Sequence, residues 1–421
     1  MKTLAEWLAY IEGQHPQAIA LGLDRVREVF GRMDARPTGP VITVTGTNGK
    51  GSTTAMLAAI LGAAGHRAAL YSSPHLLRYN ERVRVCGEEA SDAALIAAFE
   101  AVESARGDVP LTYFEYGTLA AFWHFARERV DVAVLEVGLG GRLDAVNVVD
   151  PDCAVLTSVG IDHVDFLGSS REDIGREKAG IFRAGRPAVI AEPHPPEAVM
   201  TAPGRHLLLG RDFGFTDQGS QWSYWGPAGR RSGLAHPALR GAIQLRNASA
   251  ALCALDSLRE RLPIAMQDVR RGLAEVTLPG RFQVLPGRPQ VILDVAHNVE
   301  AAQALATNLS ASGFAPETFG VCGMLRDKDI PGVLRALAGQ VSRWHFCSLQ
   351  GPRAARADAL RAASEAAGIR APVATFESAV LALEAALGAA GENDKIVVFG
   401  SFLTVGEAMQ WLNKNNKTST R

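Results

Sequence analysis

The run Val41-Ile-Thr-Val-Thr-Gly-Thr-Asn-Gly-Lys-Gly-Ser-Thr-Thr54 constrains the fold of this chain more than any other segment. A β-branched strand passes into a glycine-rich turn and then into Thr53-Thr-Ala-Met-Leu-Ala-Ala-Ile-Leu61, the text of an apolar helix. That order belongs to a sheet with crossover helices, and it is also the context a phosphate-binding loop needs. Gly46, Gly49 and Gly51 let backbone N–H groups converge on phosphate oxygens, with Thr47 and Asn48 completing the turn. The helix N-terminus adds its partial positive charge, and Lys50 places a point charge on the β- and γ-phosphates. Ser52 or Thr53 is within reach of a magnesium ion. The glycine between Lys50 and Ser52 departs from the usual Lys-Ser/Thr pair, and phosphate geometry does not demand it. A glycine turn that merely starts a helix is the weaker reading, because strand, three glycines, lysine and hydroxyls coincide in the right order.

The same alternation recurs at Val132 to Val137, Ala154 to Ser158 and Ala188 to Ala191, which predicts an α/β fold with a mostly parallel sheet. Between about Arg205 and Arg240 aromatic residues alternate with small polar ones, which predicts a β-hairpin or meander. Helical text runs from Asn247 to Val276. Two Pro-Gly pairs in Thr277-Leu-Pro-Gly-Arg-Phe-Gln-Val-Leu-Pro-Gly287 mark a linker. A second alternating series begins at the strand Val291 to Val295, with further strands near Thr318 to Cys322, Trp344 to Ser348 and Ile396 to Gly400, and helices from Asn298 and Ile330. The expected organisation is an ATP-binding domain over 1–279, a linker over 280–290 and a smaller α/β domain over 291–421. The polar, aperiodic tail from Asn413 to Arg421 is expected to be disordered.

Forty-three Lys and Arg against 44 Asp and Glu leave a formal charge of -1, so no basic field recommends nucleic acid or an anionic membrane as partner. No apolar run reaches the roughly 18 residues of a transmembrane helix. The start, with Glu6 in its first turns, lacks the apolar core of a signal peptide, and a cytoplasmic protein is expected. Cys86, Cys153, Cys253, Cys322 and Cys347 are spaced for neither a zinc site nor a disulfide framework. Glu136 closes an apolar strand just before a glycine loop, where α/β sheets place ligand groups, and its carboxylate suits the magnesium of ATP. Ile161-Asp-His-Val-Asp165 likewise follows a strand.

The segment Gly46-Thr-Asn-Gly-Lys-Gly-Ser52 resembles the ATP loop of the Mur ligase superfamily. Within it, further segments are similar to the folylpolyglutamate synthases, in particular the bifunctional bacterial dihydrofolate synthase/folylpolyglutamate synthases. These are Leu21-Gly-Leu-Asp-Arg25, Tyr71-Ser-Ser-Pro-His-Leu-Leu-Arg-Tyr-Asn-Glu-Arg82, Leu111-Thr-Tyr-Phe-Glu-Tyr-Gly-Thr118, Leu135-Glu-Val-Gly-Leu-Gly-Gly-Arg-Leu-Asp-Ala145, Leu278-Pro-Gly-Arg-Phe282, Asp294-Val-Ala-His-Asn298 and Gly400-Ser401. The likeness runs in order from about residue 20 to residue 405.

The resemblance implies two magnesium ions, with Ser73 and Glu136 as ligands of the first and His163 of the second, and a monovalent cation such as potassium. A histidine ligand to magnesium is unusual on hardness grounds, and the family context alone suggests it. It implies that Lys178 is carbamylated by carbon dioxide, which turns a cation that the metal ions would repel into an anion; the alternative is a helix-surface lysine paired with Glu177 or Glu172. Asn247, Arg281 and Asp294 are expected at the nucleotide, His297 and Ser401 at the incoming glutamate, and Lys50, Lys178, His163, Arg281 and His297 in the chemistry. Leu21, Gly22, Leu23, Thr112, Tyr113, Phe114, Glu115, Leu143, Asp144 and Ala145 match segments that bind dihydropteroate, with Tyr113 and Phe114 placed to stack on a planar substrate.

The activity so implied is ATP-dependent addition of L-glutamate to 7,8-dihydropteroate and, later, γ-glutamyl extension of reduced folates, through an acyl phosphate, by a monomer. Polyglutamate extension alone is the alternative. A plain P-loop kinase would lack a second α/β domain for an amine substrate, and a murein peptide ligase would carry a further N-terminal domain before the loop. A catalytically silent nucleotide-binding module would tolerate loss of Glu136, His163 or Lys178, and all three are present.

Overall fold

The computed structural model describes residues 2–419. They form two compact units, one of residues 1–238 with 244–277, the other of residues 239–243 with 278–421. The first is built on an eight-stranded sheet ordered Glu88–Glu89, Val83–Val85, Ala68–Tyr71, Val132–Glu136, Val41–Thr45, Cys153–Leu156, Pro187–Ile190 and Arg205–Leu208. The six strands from Ala68–Tyr71 onward are mutually parallel, and the two edge strands are antiparallel. Every residue of Val41–Thr45 and of Val132–Glu136 is buried, as strands covered on both faces must be. Register sets Val44 beside Glu136 and Thr45 beside Leu156, so the glycine turn, the end of Glu136's strand and Thr157 leave one edge of the sheet together.

The aromatic stretch forms the expected meander, Gly214–Asp217, Trp222–Gly226 and Gly229–Leu234, while Arg205–Leu208 before it joins the large parallel sheet instead. The helical text divides into Gln244–Ser257 and Met266–Glu275, because Pro263 between them cannot continue a helix. The tail corrects the expectation of disorder: helix Phe402–Ser419 runs through it, carried outward from the packed Val405, Ala408 and Met409. Thr420 and Arg421 lie outside the described residues. The second unit is a six-stranded sheet ordered Gln283–Val284, Gln290–Leu293, Lys395–Phe399, Thr318–Cys322, Arg343–Cys347 and Val373–Phe376, parallel except for the first strand. Among the described residues no helix is long and apolar enough to cross a membrane.

One buried ion pair ties the meander to the helix that follows it. Asp256 on Gln244–Ser257 accepts from the Tyr224 hydroxyl at 2.7 Å and pairs with Arg231 at 2.7 Å. Asp256→Ala strands that guanidinium and the tyrosine hydroxyl, at a cost of about 3 kcal/mol. Tyr224→Phe removes one hydrogen bond and costs about 1 kcal/mol. Urea unfolding monitored by Trp fluorescence checks the order, and equal losses would show that the ion pair contributes nothing beyond its hydroxyl partner.

Candidate active site

The glycine turn is strapped to the segment that follows the neighbouring strand. The Thr47 amide donates to the Ser158 carbonyl at 3.0 Å and the Asn48 amide to Ser158 Oγ at 2.9 Å. Thr157 Oγ1 donates to the Asn48 carbonyl at 2.6 Å, and Thr47 Oγ1 donates to the Gly160 carbonyl at 3.1 Å. Two of the amides assigned to phosphate from sequence are therefore committed to the scaffold. Donors for an anion begin at Gly49, the N-cap of helix Lys50–Ala63, whose first turn has no intrahelical acceptors. Gly49 adopts φ +87°, and a Cβ there would come within 2.7 Å of Asn247 Oδ1, so Asn247 lies against the loop. Lys50 Nζ donates to the carbonyls of Gly46 at 2.9 Å and Thr47 at 3.2 Å, so the amine arches over the turn.

Glu136 is buried at the strand end, and the Ser73 amide reaches its Oε2 at 3.4 Å. The pair emerges from adjacent parallel strands, Ala68–Tyr71 and Val132–Glu136. Thr53 Oγ1, one turn into the loop's helix, is buried with no hydrogen-bond partner. A carboxylate and hydroxyls form a hard oxygen donor set of the kind magnesium takes, usually completed by phosphate and water rather than by a full protein cage. In keeping with that, no group of three His, Cys, Asp or Glu among the described residues is set to hold a metal ion by itself. His163 stands at the left-handed N-cap of the short helix Val164–Leu167, φ +53°, with its Nε2 at 4.0 Å from Asp162.

Lys178 sits on helix Arg171–Ala179 and is only 4% exposed, which excludes the surface-lysine alternative. The acids proposed for that alternative are engaged elsewhere: Glu177 pairs with Arg142 at 2.8 Å, and Glu172 accepts from the amides of Glu197 and Ala198. Burial, and then the nearby Lys50 cation, bring the Lys178 amine down to about 7, against the opposing pull of Asp162 and Asp144.

The three segments assigned to dihydropteroate meet. The Gly22 amide donates to the Leu143 carbonyl at 3.2 Å, and Arg25 forks onto Glu115 at 2.8 and 3.3 Å. Glu115 also closes the capping box of helix Tyr113–Arg127 with Thr112. The Asp144 carboxylate accepts from the Leu139 and Val146 amides at 2.8 and 3.0 Å, and burial pushes it up to about 7. Both acids thus brace these segments, and the Tyr113 and Phe114 rings lie beside them, Phe114 at 6.0 Å from Tyr71 and Tyr113 at 5.8 Å from Tyr79. His75, Tyr79 and Arg82 join this cluster and carried no role in the sequence reading, although all lie in the run from Tyr71 to Arg82.

In the second unit, Arg281, Asp294, His297 and Ser401 gather at the ends of the paired strands Gln290–Leu293 and Lys395–Phe399. Asp294 accepts from the Phe282 and Ala296 amides, each at 2.8 Å; burial raises its carboxyl while Arg281 opposes the shift. The Arg281 guanidinium lies 5.3 Å from the Phe402 ring centre and the His297 ring 6.3 Å from it. Ser401 Oγ is buried and accepts from the Leu403 amide at 3.1 Å.

Residues 44–200 match the Mur ligase middle domain and residues 280–402 the Mur ligase glutamate ligase domain. The chain is 44% identical to the dihydrofolate synthase/folylpolyglutamate synthase of Escherichia coli (strain K12), over 97% of this chain and 95% of that protein. Its fold is similar to that of E. coli FolC in complex with DHPP and ADP, with a TM-score of 0.93, 43% identity and 99% of each chain covered. It is also similar to the bifunctional Yersinia pestis protein, with a TM-score of 0.90, 43% identity and 98% of each chain covered, in a structure complexed with AMPPNP and Mn ion.

Gly49→Ala places a side chain against Asn247 in a backbone conformation that favours glycine. ADP affinity is expected to fall by at least about tenfold with far-UV circular dichroism preserved. Calorimetric titration of ADP measures this, and unaltered affinity would contradict the assignment of the turn to phosphate.

Proposed function

Because this chain belongs to the dihydrofolate synthase/folylpolyglutamate synthase family of the Mur ligase superfamily, we propose that its own residues divide one ATP-dependent ligation among a phosphate loop, a ring pocket and a glutamate corner. The enzyme adds L-glutamate to 7,8-dihydropteroate, forming dihydrofolate, and extends reduced folates with γ-glutamyl residues. A carboxylate is a poor electrophile. The acceptor carboxylate oxygen attacks the γ-phosphorus of ATP and ADP leaves; the glutamate amine then attacks the acyl carbon, loses a proton and expels phosphate, leaving an amide.

The observation that carries this reading is the Ser73–Glu136 pair at the strand ends beside the Lys50 loop. Lys50 and the amides from Gly49 through Ser52 hold the phosphates, with Asn247, Arg281 and Asp294 assigned to the rest of the nucleotide. Ser73 and Glu136 would hold one magnesium ion, and His163 with a carbamylated Lys178 a second; when bound, the metal would supply charge neutralisation on the transferring phosphoryl group. Potassium is assigned as a further cation. His297 and Ser401 receive the glutamate α-carboxylate. The meeting of Leu21 to Leu23, Thr112 to Glu115 and Leu143 to Ala145 supports dihydropteroate as an acceptor alongside folates rather than polyglutamate extension alone. A monomeric, cytoplasmic enzyme is assigned as part of the same reading. The test is ATP-dependent incorporation of labelled glutamate with dihydropteroate and tetrahydrofolate supplied separately; incorporation with tetrahydrofolate alone would leave only the polyglutamate synthase.

An amine at about 7 is roughly half free base at neutral pH, the form that can attack carbon dioxide, bond nitrogen to carbon and release a proton. Below that pH it is an ammonium and unreactive. Recovery of activity after removal of carbon dioxide is therefore expected to need bicarbonate and to quicken as pH rises through about 7. Lys178→Ala is expected to be nearly inactive and partly restored by short carboxylic acids but not by amines. Wild-type turnover by that variant without bicarbonate, or better rescue by amines, would mean that Lys178 acts as an ordinary cation.

A further inference from the structure

We propose that Arg82 is a specificity-determining residue for the acceptor, and that its guanidinium binds the non-reacting α-carboxylate of the terminal glutamate when the acceptor is a folate. The inference deepens the functional reading above and rests on it.

Arg82 closes the short 3-10 turn Tyr79–Arg82. Its neighbours in sequence are neutralised: Arg78 and Arg84 both pair with Glu89, at 2.5 and 3.0 Å. Glu81 is spent on the amides of Leu76, Leu77 and Arg78. Arg82 has no carboxylate. Its Nε donates to His75 Nδ1 at 2.9 Å, and its guanidinium carbon lies 5.3 Å from the Tyr79 ring centre and 5.5 Å from that of Tyr113. Among the described residues neither terminal amino group has a hydrogen-bond or ion-pair partner. A half-buried guanidinium stacked on two rings with its fork unused is arranged for a planar anion.

His75 keeps that fork aimed. Its Nδ1 holds the Arg82 Nε–H, which fixes the plane of the guanidinium and turns the two terminal amino groups away from the ring.

Position identifies the anion. The Arg82 carbonyl accepts from the Ser72 amide at 3.0 Å, and the next amide, Ser73, is the one that reaches Glu136. The backbone of Arg82 is thus tied to the phosphoryl-transfer end, while its guanidinium covers Tyr113 in the ring pocket. A folate acceptor spans these two ends and carries two carboxylates on its terminal glutamate. The γ-carboxylate must be left free to attack phosphorus, since pairing with a guanidinium withdraws its electron density. The α-carboxylate needs a fixed partner so that the γ-group is presented in one geometry. Dihydropteroate has a single carboxylate, the reacting one, and makes no such demand.

The experiment compares wild type, Arg82→Met and Arg82→Lys in steady-state ligation with tetrahydrofolate, with dihydropteroate, and with a tetrahydrofolate whose α-carboxylate is a carboxamide. Met keeps the apolar stem over the rings without charge, and Lys keeps the charge without the fork. The ratio of KM for tetrahydrofolate to KM for dihydropteroate is expected to rise about tenfold in Arg82→Met and less in Arg82→Lys. Wild type is expected to lose a similar factor on the carboxamide, and Arg82→Met to be indifferent to it. An unchanged ratio, or a carboxamide penalty that persists undiminished in Arg82→Met, overturns the proposal. Those outcomes require active wild type, so they are distinct from failure of wild type to ligate glutamate to either acceptor, which overturns the functional reading and this proposal together.

Discussion

The phosphate loop of this enzyme is organised around two lysines, Lys50 and Lys178, whose charges work against each other. Lys50 arches over the loop, the first turn of its helix points amides the same way, and Lys178 is buried close enough that Lys50 helps drive its proton off. In the reading proposed above, anions complete this arrangement. ATP brings the phosphates, and a carbamate on Lys178 would turn one of the two offending cations into a further anion. The strands that carry the loop and Glu136 are buried along their whole length, which fixes where these groups stand.

The acceptor pocket is built on the opposite principle. Its acids are consumed internally, Glu115 by Arg25 and a helix cap, Asp144 by two backbone amides. On the proposed assignment, ring surface from Tyr113 and Phe114 would accept a flat heterocycle without dictating its substituents. A pocket of that kind suits an enzyme whose acceptor changes from one reaction to the next. Discrimination then falls to groups set between the rings and the phosphates.

The second unit repeats the logic of the first at smaller scale. Asp294 and Ser401 sit just beyond the ends of adjacent parallel strands, and Asp294 is braced by two amides and by Arg281. Strand ends of parallel sheets expose backbone polar groups and short loops, so they are where a small α/β unit can offer donors to a carboxylate.

Local periodicity and glycine placement were enough to read the phosphate loop, its strand and helix, the break near Pro279 and most of the second sheet, since each depends on residues within a dozen positions of one another. The strands Ala68–Tyr71 and Val83–Val85 escaped, the first because Ala-Ala-Leu-Tyr has no β-branched residue, the second because it is three residues long with a charge at its centre. The tail was misread because its polar text does not reveal the packed residues that carry the helix into it. Sequence likewise nominated Thr47 and Asn48 from the glycine turn, and Glu115, Asp144 and Lys178 from the resemblance to the family. Only the tertiary structure decided which of their groups remain available: Ser158 takes two amides, Arg25 takes Glu115, burial discharges Lys178, and Glu89 neutralises Arg78 and Arg84 but not Arg82. Availability depends on partners far away in the chain or folded back from a neighbouring strand, and such pairings leave no mark on the local pattern.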